Sequence, residues 1–502
     1  MISTSNPDKT LNSKFKILNS LFSWSWRLAI LSLPWQTRWF TGANLAGWPW
    51  EQGKVSIYIS FLPMVAAIVI AQFLPKQALS KKPGQALFFL VTALGLATVA
   101  NNLPDIRPAI AWWLQIILLL SFFTTLIRVN VKLKQVLTWF VIALIPHAVF
   151  ALAQAYLQYI PGHAWLGVAP QASANLGASV VQTDATRFLR AYGGFPHPNI
   201  LGGFMAFAIL ITSWLYLLPF NSPKNAETNT GPKESRSPHR KRHFVIRDIW
   251  NRVIYPGALP IFSAALFYSF SRSAWLALAM GTISLIILTF ITENARRTKG
   301  IIAFAAVIIT ILTLSIIHRD LTLSRLGLSP NPARLEVQSI SDRAQSIQNG
   351  INLFQAHPLL GTGPNTELKA LAQLKTPLAK EGIPNEVRRE RIQPPHNTWL
   401  LMLANFGIVG ALFIFGFLLF LMRLILKQWS TANHIQRNLL ISLIATWLVI
   451  SIFDYYLWAF WSGQLLSILT LFTIIFWLNN SQNSTQAAGI KNQQSKLDGN
   501  LE

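Results

Sequence analysis

The stretch Gln393-Pro394-Pro395-His396-Asn397-Thr398-Trp399 passes without interruption into the apolar run 398 to 422, and this junction decides how the chain is read. A bilayer crossing needs about 20 apolar residues, and the run is long enough. Ahead of it lies the polar region His318 to Asn397, which has arginines, turn signals and amphipathic spacing rather than the composition of a low-complexity tail. Working outward, eleven further apolar runs appear, at 17 to 36, 55 to 74, 85 to 100, 108 to 127, 135 to 158, 200 to 219, 254 to 270, 273 to 291, 300 to 317, 438 to 457 and 462 to 479. The first is interrupted by Arg27 and the third is short, so eleven or twelve spans are expected.

Composition agrees with that reading. Of 502 residues, 52% are hydrophobic and only 12% charged, whereas soluble domains carry about 25% charged residues. Lipid-facing surface needs no charge, and an unpaired charge in the bilayer is costly. The formal net charge of +24 would point to nucleic acid in a soluble protein. In a membrane protein it fits Lys- and Arg-rich cytoplasmic loops, and no nucleic-acid partner is expected. Nineteen tryptophans suit the aromatic belts at the membrane boundaries. The absence of cysteine excludes disulfides and thiolate metal sites. Met1 to Lys16 is polar and no cleavable leader is expected.

Positive charge sets the orientation. Lys9, Lys14 and Lys16 fall on the same side as Lys76, Lys81 and Lys82, as Arg128, Lys132 and Lys134, as Arg296, Arg297 and Lys299, and as Arg423, Lys427 and Arg437. The insert 221 to 253, the most basic connection, joins them there. The expected fold class is therefore an all-α polytopic integral membrane protein of about twelve helices with one long extracytoplasmic loop between spans nine and ten. Its divisions are 1–220 (spans one to six), 221–253 (basic cytoplasmic insert), 254–317 (spans seven to nine), 318–397 (the loop), 398–479 (spans ten to twelve) and 480–502 (a polar cytoplasmic tail). The insert and the tail read as flexible and without a catalytic part. Within the loop, Ile340, Ala344, Ile347, Ile351 and Phe354 recur at helical spacing. They predict a helix from Ser341 to Ala356, along the membrane surface or beside a cavity. The charged stretch Lys380 to Arg391 reads as solvated.

Some arginines break the charge rule. Arg187, Arg190 and Arg272 lie close to span ends on the side expected to be poor in positive charge, where acids are few: Glu51, Asp105, Asp184 and Asp454 outside the long loop. An arginine so placed needs a partner, and its planar fork suits phosphate. For any one of them headgroup snorkelling is an adequate reading, and Arg38 and Arg107 are assigned no more than that. For Arg190 and Arg272 together with His396 a site is the better reading. Gly193, Gly194, Pro196 and Pro198 shape a tight path into the sixth span, with Asn199 its expected N-cap. His197 is equally readable as a ligand contact or a cap-region residue. His396 stands at the membrane surface beside Asn397, where a neutral imidazole could take a proton from a hydroxyl, although both could simply cap the tenth span. Asp454 and His147 read as structurally paired. Neither a Ser-His-Asp set, a His-x-x-x-His pair nor a phosphate-binding glycine loop stands out, and no metal or other cofactor is expected.

Three blocks carry a family resemblance: Arg190 to Asn199 with Gly193-Gly194-Phe195-Pro196-His197-Pro198-Asn199; Ser271-Arg272-Ser273-Ala274-Trp275; and Pro395-His396-Asn397-Thr398-Trp399-Leu400 followed by Ala404-Asn405-Phe406-Gly407-Ile408-Val409-Gly410. With Arg343 to Gly363, they resemble, in order and topology, the O-antigen ligase and polymerase superfamily of polytopic membrane glycosyltransferases, a glycosyltransferase-C-like architecture. The resemblance implies metal-independent transfer of a glycan from undecaprenyl pyrophosphate to an acceptor hydroxyl of a glycan, lipid or protein. The transfer would take place at the outer face of the plasma membrane, among membrane lipids. Carried over by position, Arg190 and Arg272 would bind the pyrophosphate and His396 would act as base or orient the acceptor, with Arg187 an alternative to Arg190. Arg187, His197, Asn199, Asn397 and Arg343 would complete substrate binding. Ligase, polymerase and protein O-oligosaccharyltransferase differ in acceptor, which these motifs do not encode. A flippase or exporter of lipid-linked oligosaccharide is the reading from another class. It predicts charge deep along several spans, whereas these arginines gather at one face.

Overall fold

The computed structural model describes residues 7–42, 44–45, 48–77, 81–100, 106–175, 177–218, 249–292, 296–329, 334–374, 393–429 and 434–498. The protein is a polytopic bundle of α-helices. In chain order they are α1 (Pro7–Ser32), α2 (Phe61–Ile70), α3 (Lys81–Ala100), α4 (Arg107–Arg128), α5 (Leu133–Leu157), α6 (Pro198–Leu217), α7 (Tyr255–Tyr268) and α8 (Arg272–Thr292). There follow α9 (Arg297–Ile317), α10 (Arg319–Leu326), α11 (Arg334–Ala356), α12 (Glu367–Leu374), α13 (Thr398–Lys427), α14 (His434–Phe453), α15 (Tyr456–Ala459) and α16 (Trp461–Asp498). Among the described residues strands occur only as short antiparallel pairs, including Arg38–Phe40 with Ser56–Tyr58 and Val180–Gln182 with Arg187–Leu189.

Among the described residues nine helices are long and apolar enough to cross a membrane: α3 to α6, α8, α9, α13, α14 and the first part of α16. The expected runs 17 to 36, 55 to 74 and 254 to 270 correspond to α1, α2 and α7, which fall outside that group. α2 with its 3-10 extension Ala71–Phe73 is short because residues 56 to 58 leave the helix to pair as a strand. α7 is extended at its start by a turn of π-helix, Trp250–Ile254. In α1, Arg27 lies 5.4 to 5.7 Å from the ring centroids of Trp24, Trp26 and Trp139, a cation–π setting for a charge on an apolar helix. The expected flexible tail is helical as far as Asp498, continuous with the last span. Its Asn, Gln, Ser and Ala residues include no proline to stop the helix. The charged stretch Lys380 to Arg391 and most of the basic insert, residues 221 to 248, lie outside the described residues.

The bundle is organised around α6, which is buried along its whole length. Inside a membrane, packing rather than water exclusion holds helices together, and small residues permit close approach. Gly202 shows this directly. A Cβ there would come within 2.9 Å of Ser269 Oγ and of the Ser271 side chain, so only glycine lets α6 press against the turn between α7 and α8. That turn carries Arg272. On the adjoining face of α6, a Cβ on Gly203 would clash with the Tyr456 hydroxyl, two residues beyond Asp454.

α13 is broken where Gly407 adopts φ 60° and ψ −164°. Segment 358 to 363 repairs the ladder: Thr362 and Gly363 amides donate to the carbonyls of Ala404 and Asn405 at 2.8 Å, and the Ile408 amide donates to Pro358 O at 2.8 Å. Irregular backbone at membrane depth is tolerated only where protein satisfies it in this way. The break therefore fixes the end of the polar loop against the start of α13.

Candidate functional site

Asp454, the residue after α14, ties the starts of three helices together. Its Oδ1 accepts from Asn199 Nδ2 on α6 at 2.9 Å, its Oδ2 from Ser273 Oγ on α8 at 2.5 Å, and its backbone carbonyl from Thr398 Oγ1 on α13 at 2.7 Å. Asn199 in turn accepts, through Oδ1, from Arg190 Nη2 at 2.6 Å, and Arg190 Nε donates to Ser269 O at 2.7 Å. Arg190 is 5% exposed and Asp454 2%. The expected paired role of Asp454 is thus correct as geometry, but its position is central.

A second chain of contacts starts from the long loop. Arg325 on α10 is buried, donates from Nε to Phe270 O at 2.7 Å, and meets both carboxylate oxygens of Glu336 from Nη1 at 2.9 Å. Arg272 Nη1 stands 3.9 Å from Glu336 Oε2, and its Nε is buried without a partner among the described residues. Arg343, on α11, lies within electrostatic range of Arg272, Arg325, His197 and His396. Four guanidiniums, of Arg190, Arg272, Arg325 and Arg343, are therefore gathered with two carboxylates, of Glu336 and Asp454. Burial first, and then the neighbouring Arg325, lower the Arg190 pKa, with Tyr192, Glu336 and Asp454 opposing. An arginine keeps its proton under such pressure. The result is a desolvated site with an excess of positive charge and guanidinium donors to spare, which suits a multiply charged anion.

His396 sits at the edge of this cluster. Its backbone N–H donates to Ser346 Oγ at 3.1 Å, its ring meets Tyr455 edge-on at 4.9 Å between centroids, and its Nδ1 is buried without a partner among the described residues. Burial, with Arg343, lowers its pKa against the opposing pull of Asp454. The imidazole is consequently neutral near pH 7 and able to accept a proton.

The remaining expected residues divide. His197, not Asn199, is the N-cap of α6: its Nδ1 accepts from the Asn199 amide at 3.1 Å, while Nε2 lies 3.3 Å from Ser179 Oγ. With Pro198 fixed in the first turn, Asn199 is left free to bridge Arg190 and Asp454. His197 is open to solvent on one side, yet the surrounding protein and Arg190 keep its pKa well below the ordinary histidine value. That combination describes the wall of a cleft. Asn397 caps α13 by accepting from the Leu400 amide at 2.8 Å and donates from Nδ2 to Ile452 O at 2.8 Å. Arg187 is exposed and reaches Asn175 O at 3.3 Å, apart from the cluster, so the geometry brings Arg190 to the site and not Arg187.

His147 holds the Gly193-Gly194 path, accepting from the Gly194 amide at 3.2 Å, and Gln154 does the same for Tyr192 and Gly193. Arg38 is not a snorkelling arginine; it pairs with Glu51 and Tyr58. Arg325 and Glu336 were not expected. Both lie in a polar loop where sequence offers no sign of which charge turns inward. No group of three or more His, Asp or Glu that could hold a metal ion occurs among the described residues.

A family model described as O-antigen ligase matches residues 257–415. The matched segment contains Arg272, Arg325, Glu336, Arg343 and His396, and the fold adds Arg190, Asn199 and Asp454 from outside it. A comparison with curated proteins finds no match.

Proposed function

We propose that the chain transfers a glycan from undecaprenyl pyrophosphate to an acceptor hydroxyl at the outer face of the plasma membrane, without a metal, a reading supported by the O-antigen ligase match over residues 257–415. The family implies a glycosyltransferase-like activity on lipid-linked glycans. The observation that carries the finer reading is the convergence of Arg190, Arg272, Arg325 and Arg343 with a neutral His396 at one end of the bundle. The outer-face assignment rests on the lysines and arginines of the connections at the opposite end.

In the proposed reaction the acceptor oxygen attacks the anomeric carbon as the bond from that carbon to the pyrophosphate oxygen breaks. The acceptor proton passes to His396. The electron pair of the broken bond leaves on undecaprenyl pyrophosphate, whose charge the arginines offset. Fixed charges in a dry site do this without reorganisation, and holding donor and acceptor together removes much of the entropic barrier. A single displacement inverts the anomeric centre. Asn199 and Asp454 position Arg190 rather than touch the substrate. Ligase, polymerase and protein-glycosylating activities share this donor half and differ in acceptor.

The test is purified protein with a lipid-pyrophosphate glycan and candidate acceptors, following both donor consumption and glycosidic product. Arg272→Ala and His396→Ala are each expected to lower transfer about 100-fold or more. Unchanged rates in both variants would remove the site assignment, and donor translocation without product would replace the enzyme by an exporter.

A further inference from the structure

α11 is amphipathic in the reverse of the usual sense. Its polar and small residues face the protein: Glu336, Ser346, Asn349 and Gly350 are buried. They are committed there, Glu336 to Arg325, Ser346 to the His396 amide, and Asn349 Nδ2 to Gln393 O at 3.0 Å. The helix cannot rotate without losing these contacts. Its apolar stripe points away: Val337 is 52% exposed, Ile340 59% and Ile347 45%, with Ala344 exposed between them. At 100° per residue these four fall on one face.

The C-terminal half of the helix packs against the start of the α13 span. A Cβ on Gly350 would meet Leu400 at 2.7 Å, in the first turn of the α13 span, and Leu353 packs with Leu371 and Ala404. Ala404 is about 9 Å beyond Thr398 at 1.5 Å per residue. Exposed apolar residues also precede the helix: Ile316 and Ile317 at the end of the α9 span, and Leu326 and Leu328 at the end of α10 and just after it. Arg334, exposed at the start of α11, adds positive charge that complements anionic headgroups.

We propose that α11 is an interfacial helix whose stripe of Val337, Ile340, Ala344 and Ile347 is embedded among the acyl chains of the leaflet at the site end, holding Arg343 at the level of the lipid phosphates. Arg343 lies between the buried face and the stripe. Its guanidinium has no hydrogen-bond or ion-pair partner among the described residues, and it is electrostatically linked to Arg272 and Arg325. On the donor reading above, a lipid-borne pyrophosphate moving in the plane of the leaflet meets Arg343 first and reaches the cluster from the side.

The natural absence of cysteine allows unique labels. Ile347→Cys, Ile340→Cys and, as an exposed comparison off the stripe, Gln345→Cys are labelled with a small fluorophore in vesicles of phosphatidylethanolamine and phosphatidylglycerol. Quenching is compared between a lipid with a nitroxide at carbon 5 of its chain and aqueous iodide. At Ile347 and Ile340 the nitroxide should quench at least twofold and iodide should quench several-fold less than at Gln345. Iodide quenching at Ile347 equal to that at Gln345 overturns the proposal. Shielding of Ile347 from both quenchers also overturns it, by showing that protein, a second copy or another segment, covers the stripe. Neither readout needs donor or turnover, so failure here is separable from failure of the transferase reading.

Discussion

Arg38 and Arg272 both follow or begin a helix at the same end of the bundle, and their charges are handled differently. Around Arg38 the account closes: Glu51 accepts from Arg38 and from Lys54, the latter at 2.8 Å, and the Phe40 ring lies 5.1 Å from one cation and 4.5 Å from the other. Against the burial that would raise it, Arg38 and Lys54 hold the Glu51 carboxyl below its usual value. Around Arg272 the account stays open. Glu336 is already held by both nitrogen–oxygen contacts from Arg325 and stands 3.9 Å from Arg272, whose Nε has no partner among the described residues. A closed ion pair fastens a strand pair, whereas the unmatched guanidinium donors around Arg272, close to His396, are what the proposed binding site rests on.

The largest expected effect breaks the comparison if it fails. Arg272→Ala should lower transfer by two to three orders of magnitude, as for removal of a donor to a leaving group. Arg38→Ala should leave transfer within about threefold and instead lower thermal stability by about 2 to 4 °C, consistent with loss of a half-buried pair in a large domain. Comparable losses of transfer in the two variants, measured at equal folded protein, would erase the distinction.

A smaller effect tests how Asp454 acts. Asp454→Asn keeps the volume and an acceptor for Asn199 while removing a charge, and transfer should fall about 10-fold to 100-fold. A merely structural role would leave the pH profile in place. His396 is lowered by burial and raised again by Asp454. The acid limb of the transfer rate should therefore lie below pH 6.5 in the parent and move lower still in Asp454→Asn. The sign follows because the base is active when neutral, and a depressed pKa preserves the neutral form as pH falls. The same shift makes the native state lose stability as pH falls below 6.5, where the unfolded chain takes up the proton first. A limb above pH 7, or one that moves up in the variant, would refute the assignment of His396 as base.

Much of this was legible in the sequence because spans, charge bias and turn chemistry are local. The apolar runs gave the bundle, and Arg190, Arg272 and His396 stood out by breaking or punctuating the pattern. What stayed hidden was partnership. The link from Arg190 through Asn199 to Asp454 joins residues far apart in the chain, and nothing local distinguishes Arg325 from the exposed Arg319 or Arg334. The choice between Arg190 and Arg187 depended on which way the chain turns after a short strand. The α11 periodicity revealed a stripe but not the side to which it turns. The cap of α6 was misplaced because Asn199 has the right chemistry for it, while His197, with Pro198 next, has the right position.

Glu367 supplies the third case, an acid with no cation partner among the described residues, and the smallest expected effect. It is 1% exposed, accepts from Asn405 Nδ2 at 3.2 Å beside the break in α13, and its Oε1 has no partner among the described residues. Burial raises its pKa to about 7, against the opposing hydrogen bonds from its own amide and Asn405. A raised native value means that stability is full below 4.5 and declines as pH rises through 7, by about 3 kcal/mol when 2.5 units are converted at 1.36 kcal/mol each. Glu367→Gln removes the titration but keeps the shape and an acceptor for Asn405. Its melting temperature should vary less than the parent's between pH 5 and pH 8, and exceed it at pH 8 by a few degrees. Transfer at pH 7 should change less than about threefold, since Glu367 lies outside the arginine cluster. A variant less stable than the parent at pH 8 would mean that the carboxylate is ionised and paired after all, and Glu367 would then belong with Glu51 as a closed account.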